Sequence, residues 1–425
     1  NTQYYLFNNQ IVINNGIICL KIIILIILIL LLLTMYENIK MEKILCLETP
    51  IIILISVLGM FIIISSNDLF ILGLGLELQT MPYFILSCLN RSSNLSVEAG
   101  LKYFIYACFC SSISFFGISL IYGALGTTNF LEIKIILNTY KIMNFNIIYI
   151  SLLLILFGLL FKLGLVPFHF WIADIYEGCP NIITYFFAVI SKFTIIFIIF
   201  KIYYNVFISF INWFNLIFLI IGMLSILIGS ILALYQIKFK RLLAYSAVVH
   251  MGNIFLLFSI GTNEGIEYAF NYLFIYMLIS INIFSIFLSI YKIDGSSIQN
   301  IVDFTVIIKT NKHLSIAFII SILSLGGIPP FAGFFAKLPV FFLLLKMVNP
   351  FLTITVILFS ILSATYYIRL IRMCWFSENV GNNPINLIHK LTINQSMLIS
   401  SLIFFNSTFI WLQLPLINLI KYIIY

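Results

Sequence analysis

The chain has 425 residues, of which 63% are hydrophobic and only 8% are charged, and its formal net charge is +8. Its mean hydropathy of +1.17 excludes a soluble globular protein, because the water-facing surface of a soluble chain of 425 residues needs far more polar side chains. The composition therefore predicts a polytopic membrane protein.

Apolar runs of about 20 residues recur along the whole sequence, and this is the length that an α-helix needs to cross the hydrocarbon core. The runs lack the apolar–polar alternation, in segments of about 10 residues, that a membrane β-barrel would show. We therefore predict an all-α polytopic membrane protein with about 12 transmembrane helices. The predicted spans lie near residues 14–35, 50–66, 68–90, 99–124, 147–172, 180–204, 211–235, 240–260, 265–292, 313–347 (broken), 350–376 and 394–422.

Lysine and arginine are distributed unevenly between the loops that the predicted spans place on the two sides of the membrane. The loops after odd-numbered spans contain Lys40, Lys43, Arg91, Lys238, Lys240, Arg241, Lys309, Lys312, Arg372 and Lys390. The other side contains chiefly Lys134, Lys141, Lys201 and Lys346. The positive-inside rule then predicts that the first set faces the matrix or cytoplasm and that both termini face the opposite compartment. The net charge thus indicates topology, and we expect no nucleic-acid partner.

Glu77 is the only charged residue between Asp68 and Arg91, and it lies within a predicted span. A carboxylate at membrane depth is costly and marks a partner or a function. The nearest candidate partner in the sequence is Lys102, at the start of the next span. Glu98, four residues before Lys102, offers an alternative, in which Glu98 and Lys102 form an i,i+4 pair at the membrane interface.

The stretch GLVPFHFW places Pro167 inside the span predicted near residues 147–172, and this proline interrupts the helix. Proline removes a backbone donor and frees a carbonyl, and protein or water has to satisfy those groups at membrane depth. Lys162 precedes the break and lies well inside its apolar run, so an ion path fits it better than snorkelling to the interface. His169, within the break, is a secondary candidate for proton transfer, the alternative being a hydrogen-bonded structural histidine.

Lys192 and His250 are two further ionisable residues inside predicted spans. Lys192, in FFAVISKFTIIFIIF, has neither a carboxylate nor a loop nearby in the sequence. A desolvated ammonium gives up its proton more readily than an exposed one, which is the property that a proton relay needs. His250, in LLAYSAVVHMG, titrates near neutral pH and is a candidate for passing protons between lysines, although a structural histidine is again the alternative.

A second proline break, LGGIPPFAGFFAK, ends at Lys337, seven residues after Pro330. The lysine precedes the first break and follows the second, as an inverted pair of repeats would produce. Broken helices in corresponding halves point to an ion path near the membrane midplane. We therefore include Lys337 among the candidate residues of this path.

The sequence shows no sign of a redox centre. The seven cysteines form no CxxC pair or metal-ligand cluster, and the four histidines do not repeat at the spacing of paired haem ligands. We expect no cofactor and no metal.

The sequence contains, in this order, the stretches LGLELQTMPYFIL, VEAGLKYF with GISLIYGALGT, FKLGLVPFHFWIADIYEGCP, KFKRLLAYSAVVHMG and SLGGIPPFAGFFAK. Together they resemble the subunit 2 family of respiratory complex I, the proton-pumping NADH:ubiquinone oxidoreductase, from about Ile51 to Trp375. Single motifs are shared with the related subunits 4 and 5 and with Mrp-type antiporters. The resemblance implies an antiporter-like fold with inverted five-helix repeats, two proline-broken helices and no redox centre of its own.

The resemblance also implies a division of the chain. It comprises an N-terminal helix and matrix loop (1–49), a first antiporter-like repeat (50–204), a second antiporter-like repeat (205–376), and a loop with a C-terminal helix (377–425). The family pattern has three helices ahead of the pair at 50–90, where this chain has one. This difference implies that two helices are lost or come from a separate polypeptide.

The resemblance implies that the proton-relay residues of the family correspond in this sequence to Glu77, Lys102, Lys162, Lys192, His250 and Lys337. The implied mechanism moves protons along Lys192, Lys162, His250 and Lys337 at the midplane, while a Glu77–Lys102 pair modulates the central Lys162. The implied partners are other membrane-arm subunits of complex I and lipids. The implied location is the mitochondrial inner membrane, with basic loops in the matrix.

Two other functions remain open at this point. One is a subunit of an Mrp-type sodium/proton antiporter, which sodium dependence would reveal. The other is a structural membrane subunit that pairs its charges and moves no ion. The number of buried lysines without an evident partner in the sequence argues against the structural role.

Overall fold

The computed structural model describes residues 3–41, 48–90, 92–139, 145–292, 298–306, 311–376, 387–389 and 391–424. Lys43, Arg91, Lys141, Lys309 and Lys390, which contributed to the predicted orientation, lie outside these ranges. The described chain is mainly helical, as the sequence predicts, and it also contains two short antiparallel strand pairs.

The described ranges contain 16 α-helices. They are α1 (Asn15–Met41), α2 (Thr49–Ser65), α3 (Leu69–Ser87), α4 (Asn94–Leu125), α5 (Phe130–Thr139), α6 (Phe145–Leu163), α7 (Phe170–Gly178), α8 (Asn181–Phe200), α9 (Ile211–Leu234), α10 (Phe239–Ser259), α11 (Asn263–Leu288), α12 (Lys312–Gly326), α13 (Ala332–Met347), α14 (Pro350–Trp375), α15 (Ile393–Ser407) and α16 (Phe409–Ile424). A π-helical segment (Lys201–Val206) continues α8, and two 3₁₀ segments (Ile208–Phe210 and Ile301–Val306) complete the helical elements. The antiparallel strand pairs are β1 (Tyr4–Leu6) with β2 (Ile11–Ile13) and β3 (Ile290–Lys292) with β4 (Leu387–His389).

Nine helices in the described ranges are long and apolar enough to cross a membrane. The bent pair α15 and α16, at 90°, would make a tenth. The predicted number of about 12 spans is therefore not confirmed. The difference lies in α2 and α12, which are apolar but shorter than 18 residues, and α12 is short because the second proline break ends it.

Both predicted breaks are present. The first separates α6 from α7, and the second separates α12 from α13. A glycine with positive φ follows each of the helices that end there, Gly164 at 69° and Gly327 at 79°. A residue in this left-handed conformation ends the helix. Glycine adopts it with little steric strain because it has no Cβ. Glycine and proline thus act together to stop both helices.

Helix α8 forms the centre of the molecule. All 20 residues of α8 are buried, and α10 and α11 are also almost fully enclosed. By contrast, most residues of α4 and α14 are exposed or half-buried, so these helices expose broad apolar faces suited to lipid or to neighbouring subunits. Lys192 on α8 and His250 on α10 are therefore shielded from the surrounding membrane by the other helices.

Candidate functional site

Lys162 lies in the last turn of α6, directly before the first break. Its Nζ donates a hydrogen bond to the carbonyl oxygen of Leu76 on α3 (3.0 Å). The indole Nε1 of Trp171, on the far side of the break, donates to the carbonyl of Phe161 (2.9 Å). Trp171 therefore satisfies a backbone carbonyl at this break, as membrane depth requires, and Lys162 connects the break to α3.

Glu77 lies one residue after the carbonyl that accepts from Lys162, and the two charges interact electrostatically. The hydroxyl of Thr80 donates a long hydrogen bond to Glu77 Oε2 (3.4 Å). The other oxygen, Oε1, is buried and has no hydrogen-bond partner among the described residues. Glu77 is therefore a poorly satisfied carboxylate next to Lys162, which favours a functional role over a structural one.

The expected Glu77–Lys102 pair is wrong. Lys102 Nζ instead contacts Glu98 Oε1 (2.8 Å) and Asp174 Oδ2 (3.1 Å), so the alternative i,i+4 pair with Glu98 is confirmed. Glu77 and Lys102 do not meet because they lie at different depths in the helix bundle. Gly100 packs against Cys88, which places Lys102 near the end of α3, whereas Glu77 lies about 16 Å further along that helix axis.

Lys102 belongs to a larger charged cluster that the sequence analysis did not foresee. Asp174 on α7 also accepts from Arg241 Nη2 (2.9 Å). Glu177, one turn further on, pairs with Arg241 and with Lys238. These contacts join α4, α7 and the start of α10 at the end of the molecule that contains the basic KFKR segment. The cluster borders a cavity of about 90 Å³.

A small cavity of about 20 Å³ lies between Lys162 and Lys192. Gln79, Tyr83 and Ser191 contribute polar groups to its wall. A cavity needs roughly 10–15 Å³ of this kind of volume, and polar partners, to hold one water molecule. The space between the two lysines therefore suits a single bridging water.

Lys192 lies on the central helix α8 and is 2% exposed. Its Nζ donates to the hydroxyl of Tyr276 on α11 (3.3 Å) and lies 5.3 Å from the centroid of that ring. The same ring lies 5.0 Å from the ring of His250, centroid to centroid. Tyr276 therefore occupies the space between the buried lysine and the buried histidine.

His250 is held by two tyrosine hydroxyls. Its Nδ1 hydrogen bonds with Tyr272 Oη (2.8 Å) and its Nε2 with Tyr367 Oη (3.0 Å). Asn253 also donates to Tyr272 Oη (3.1 Å). Since a tyrosine hydroxyl both donates and accepts, this arrangement accommodates either tautomer of the histidine and allows the proton on the ring to change position.

Lys337 lies in the second turn of α13, after the second break, and is 5% exposed. Its Nζ donates to the carbonyl of Gly326 (2.8 Å), one of the last carbonyls of α12. A cavity of about 10 Å³ lies between His250, Ser324 and Ala336. Both Lys192 and Lys337 interact electrostatically with His250. Both breaks thus have a lysine whose ammonium group bonds to a backbone carbonyl, on the neighbouring α3 at the first break and on the broken helix itself at the second.

His169 is buried in the first break but lies apart from this row. Its ring packs on Phe170 (4.3 Å between centroids), and its Nδ1 has no partner among the described residues. The structure therefore brings together Glu77, Lys162, Lys192, His250 and Lys337, and it places Lys102 in the charged cluster and His169 to one side.

In the described ranges, no group of three or more His, Cys, Asp or Glu side chains could hold a metal ion.

The tyrosines of the site were not predicted from the sequence. Tyr272 and Tyr276 are four residues apart on α11 and so share one helix face, but the chain contains 23 tyrosines. The spacing alone does not separate these two from packing residues. Asp174 and Glu177 carried a clearer signal, because two carboxylates on the short segment WIADIYEG require cations nearby.

Three comparisons with known proteins bear on this arrangement. Residues 66–364 match the family model described as NADH:quinone oxidoreductase/Mrp antiporter, transmembrane. NADH-quinone oxidoreductase subunit N of Pelagibacter ubique is 35% identical over 94% of this chain and 83% of that protein. NADH-ubiquinone oxidoreductase chain 2 of Marchantia polymorpha is 35% identical over 87% of this chain and 76% of that protein.

Solved structures share the fold. A chain of respiratory complex I from Thermus thermophilus has a TM-score of 0.73 and 22% identity, covering 95% of this chain and 85% of that one. A chain of the Mrp complex from Dietzia sp. DQ12-45-1b has a TM-score of 0.82 and 19% identity, covering 97% and 84%. At these identities the structural matches establish the architecture alone, and the sequence relatives establish the family.

Proposed function

Because the chain belongs to the transmembrane family of NADH:quinone oxidoreductase and Mrp antiporter subunits, we propose that it is a proton-translocating membrane-arm subunit of complex I. The names of the sequence relatives, subunit N and chain 2, favour this function over a sodium/proton antiporter. The protein would act within NADH:quinone oxidoreductase without a redox centre of its own.

The observation that carries the proposal is the enclosed row Lys162, Lys192, Tyr276, His250 and Lys337. Each end of the row has a lysine beside a proline break, and its ammonium group bonds to a backbone carbonyl, that of Leu76 on α3 for Lys162 and that of Gly326 for Lys337. Between them, Lys192 contacts Tyr276, and the ring of Tyr276 packs beside His250. Ionisable groups enclosed by a helical bundle are costly, and they mark proton relays in membrane pumps.

Proton transfer along the row would use different carriers in its two halves. Between Lys162 and Lys192, a water molecule in the 20 Å³ cavity would accept a proton from one ammonium and donate one to the other amine. Between Lys192 and Lys337, Tyr276 and the two tyrosines that hold His250 would supply hydroxyl groups. The poorly satisfied Glu77 would set how strongly Lys162 retains its proton, since an opposite charge favours the ammonium form.

Lys102 takes a different role from the one that the resemblance implies. It would hold α7, the segment after the first break, through Asp174, while Arg241 and Lys238 hold the same segment from α10. A shift of α7 would change the surroundings of the break that Lys162 precedes. We propose that Lys102 influences the row through this segment and that Glu77 acts on Lys162 directly.

We also propose the setting of this activity. The repeats would comprise residues 50–204 and 205–376, and the partners would be other membrane-arm subunits and lipids. The compositional bias toward Ile, Asn, Phe, Tyr and Lys suits an organelle-encoded chain of the mitochondrial inner membrane. The end with the KFKR segment would then face the matrix.

The proposal is tested in the assembled complex, reconstituted in vesicles, by recording NADH oxidation and proton uptake together. Lys162→Met should lower the number of protons moved per NADH, whereas Lys346→Met, at the exposed end of α13, should leave it unchanged. A wild-type ratio in Lys162→Met would contradict the relay. Failure of the chain to migrate in a large NADH-oxidising assembly, together with sodium-dependent proton flux, would favour the antiporter instead.

A further inference from the structure

A cavity of about 300 Å³ lies at the other end of the molecule from the charged cluster. Its wall comes from the start of α1, from α5, from the end of α8 with its π-helical continuation, and from the end of α16. Lys134 and Lys201 line it, together with Asn14, Asn205 and Tyr422. Nothing in the proposed proton path uses this cavity.

The cavity lies at the depth of the lipid headgroups. Lys201 follows Lys192 by nine residues, which is about 14 Å along a helix axis, and half of the hydrocarbon core is about 15 Å thick. If Lys192 marks the midplane, Lys201 is at the membrane surface. The helix ends at Asn15, Ser65, Leu69 and Ile424 meet the same region, as expected at an interface.

The two lysines place basic groups in the cavity wall, and neither forms an ion pair among the described residues. Lys201 donates to the carbonyl of Ser66 and lies 5.5 Å from the ring centroid of Phe130. In the part of the chain that the structure describes, neither Lys201 nor Lys134 has a carboxylate within ion-pair distance. Asp68, close by in sequence to Ser66, is occupied by the backbone N–H of Phe70 and the hydroxyl of Thr128.

Amide and aromatic groups complete the wall. The Asn14 Oδ1 is buried with no hydrogen-bond partner among the described residues, so the carboxamide of this wall residue has hydrogen-bonding capacity that no described protein group uses. Phe197 and Phe200 form an apolar side of the cavity. Two ammonium groups, amide donors and an apolar wall suit a molecule with an anionic head and an apolar body.

We infer that this cavity binds the phosphate group of an anionic phospholipid, with Lys201 and Lys134 as its cationic contacts. The phosphate would lie between the two ammonium groups and the Asn14 carboxamide. The acyl chains would leave along the exposed apolar faces of α1 and α16, where Ile18, Ile22 and Leu419 face outward. A free phosphate would satisfy the same charges but would leave the apolar wall empty.

The test is photolabelling of the assembled complex in phosphatidylcholine nanodiscs, with phosphatidylglycerol that has a diazirine in one acyl chain. We expect label on peptides of α1, α8 and α16, reduced at least tenfold in Lys201→Gln and in Lys134→Gln and unchanged in Lys346→Gln. Unlabelled phosphatidylglycerol should compete, and inorganic phosphate at the same concentration should not.

Each other outcome overturns the inference. Equal labelling of the wild type and both cavity variants would show that the lysines do not hold the lipid, and label spread over all lipid-facing helices would show that no specific site exists. Competition by inorganic phosphate would identify a small-anion site. Should Lys201→Gln fail to assemble, Lys134→Gln decides the question, because Lys134 is exposed and its replacement removes no buried contact.

Discussion

Lys192 and Tyr276 contact each other twice, through a hydrogen bond of 3.3 Å from the ammonium to the hydroxyl and through the ring face at 5.3 Å. The ring contact stabilises the cation by a cation–π interaction, while the hydroxyl offers a route for its proton. These two contributions can be separated, because phenylalanine keeps the ring and removes the hydroxyl.

Tyr276→Phe should slow NADH-driven proton uptake by about tenfold, which corresponds to the loss of one hydrogen bond to a charged group. The lysine should remain in place because the ring persists. Proton uptake in vesicles containing the assembled complex measures the effect.

The matched control is Tyr185→Phe, which removes another buried hydroxyl of α8, one that donates a long bond of 3.4 Å to the carbonyl of Ile281 and also bonds with Thr34, away from the row. Tyr185→Phe should behave like the wild type. Equal slowing in both variants would mean that buried hydroxyls matter for packing and not for proton transfer.

Ser191→Leu should interrupt transfer between Lys162 and Lys192, because its side chain would fill the 20 Å³ cavity and exclude the water. Ser191→Ala removes a hydroxyl that donates to the carbonyl of Phe187 in its own helix and bonds with Tyr83, and it keeps the space. The ratio of protons to NADH should therefore fall in the leucine variant and persist in the alanine variant. Full coupling in Ser191→Leu would exclude a water link at this position.

Gly327→Ala should displace Lys337. A Cβ at Gly327 would lie 2.6 Å from the Lys337 Cδ, and the residue has a φ of +79°, which costs a non-glycine residue about 1–2 kcal/mol. Gly326 provides the control, because a Cβ there meets its nearest atom at 3.9 Å. Gly327→Ala should lower proton uptake in complexes that assemble, as judged on native gels, and Gly326→Ala should not. Identical behaviour of the two variants would show that the position of Lys337 is not critical.

Double-mutant cycles distinguish the two partners that have been considered for Lys102. Asp174→Asn combined with Lys102→Met should show a coupling energy of up to about 1 kcal/mol, a modest value because both side chains are partly exposed. Glu77→Gln combined with Lys102→Met should be additive. Thermal unfolding of the assembled complex at low and high salt gives both values. Coupling between Glu77 and Lys102 that exceeds that with Asp174 would restore the pair that the resemblance implied.

The sequence predicted the helical membrane class and both proline breaks because these depend on local properties: run length, apolarity and the proline–glycine pairs. It did not predict the partner of Lys102, because that depends on how far α3 and α4 are offset along their axes. The packing of Gly100 against Cys88 sets this offset, and no local pattern reports it. The tyrosines around His250 were missed for a similar reason, since Tyr272 and Tyr367 are 95 positions apart and meet only in the folded bundle.

The complete enclosure of α8 has a consequence for biogenesis. Its neighbours include α1, α2, α6 and α11, and the last of these is synthesised more than sixty residues after the end of α8. Until α11 arrives, Lys192 lacks its contact with Tyr276 and one side of α8 is uncovered within the membrane. The nascent chain therefore passes through a stage at which an insertase or a neighbouring subunit has to shield this lysine, and folding is complete only after α11 has packed.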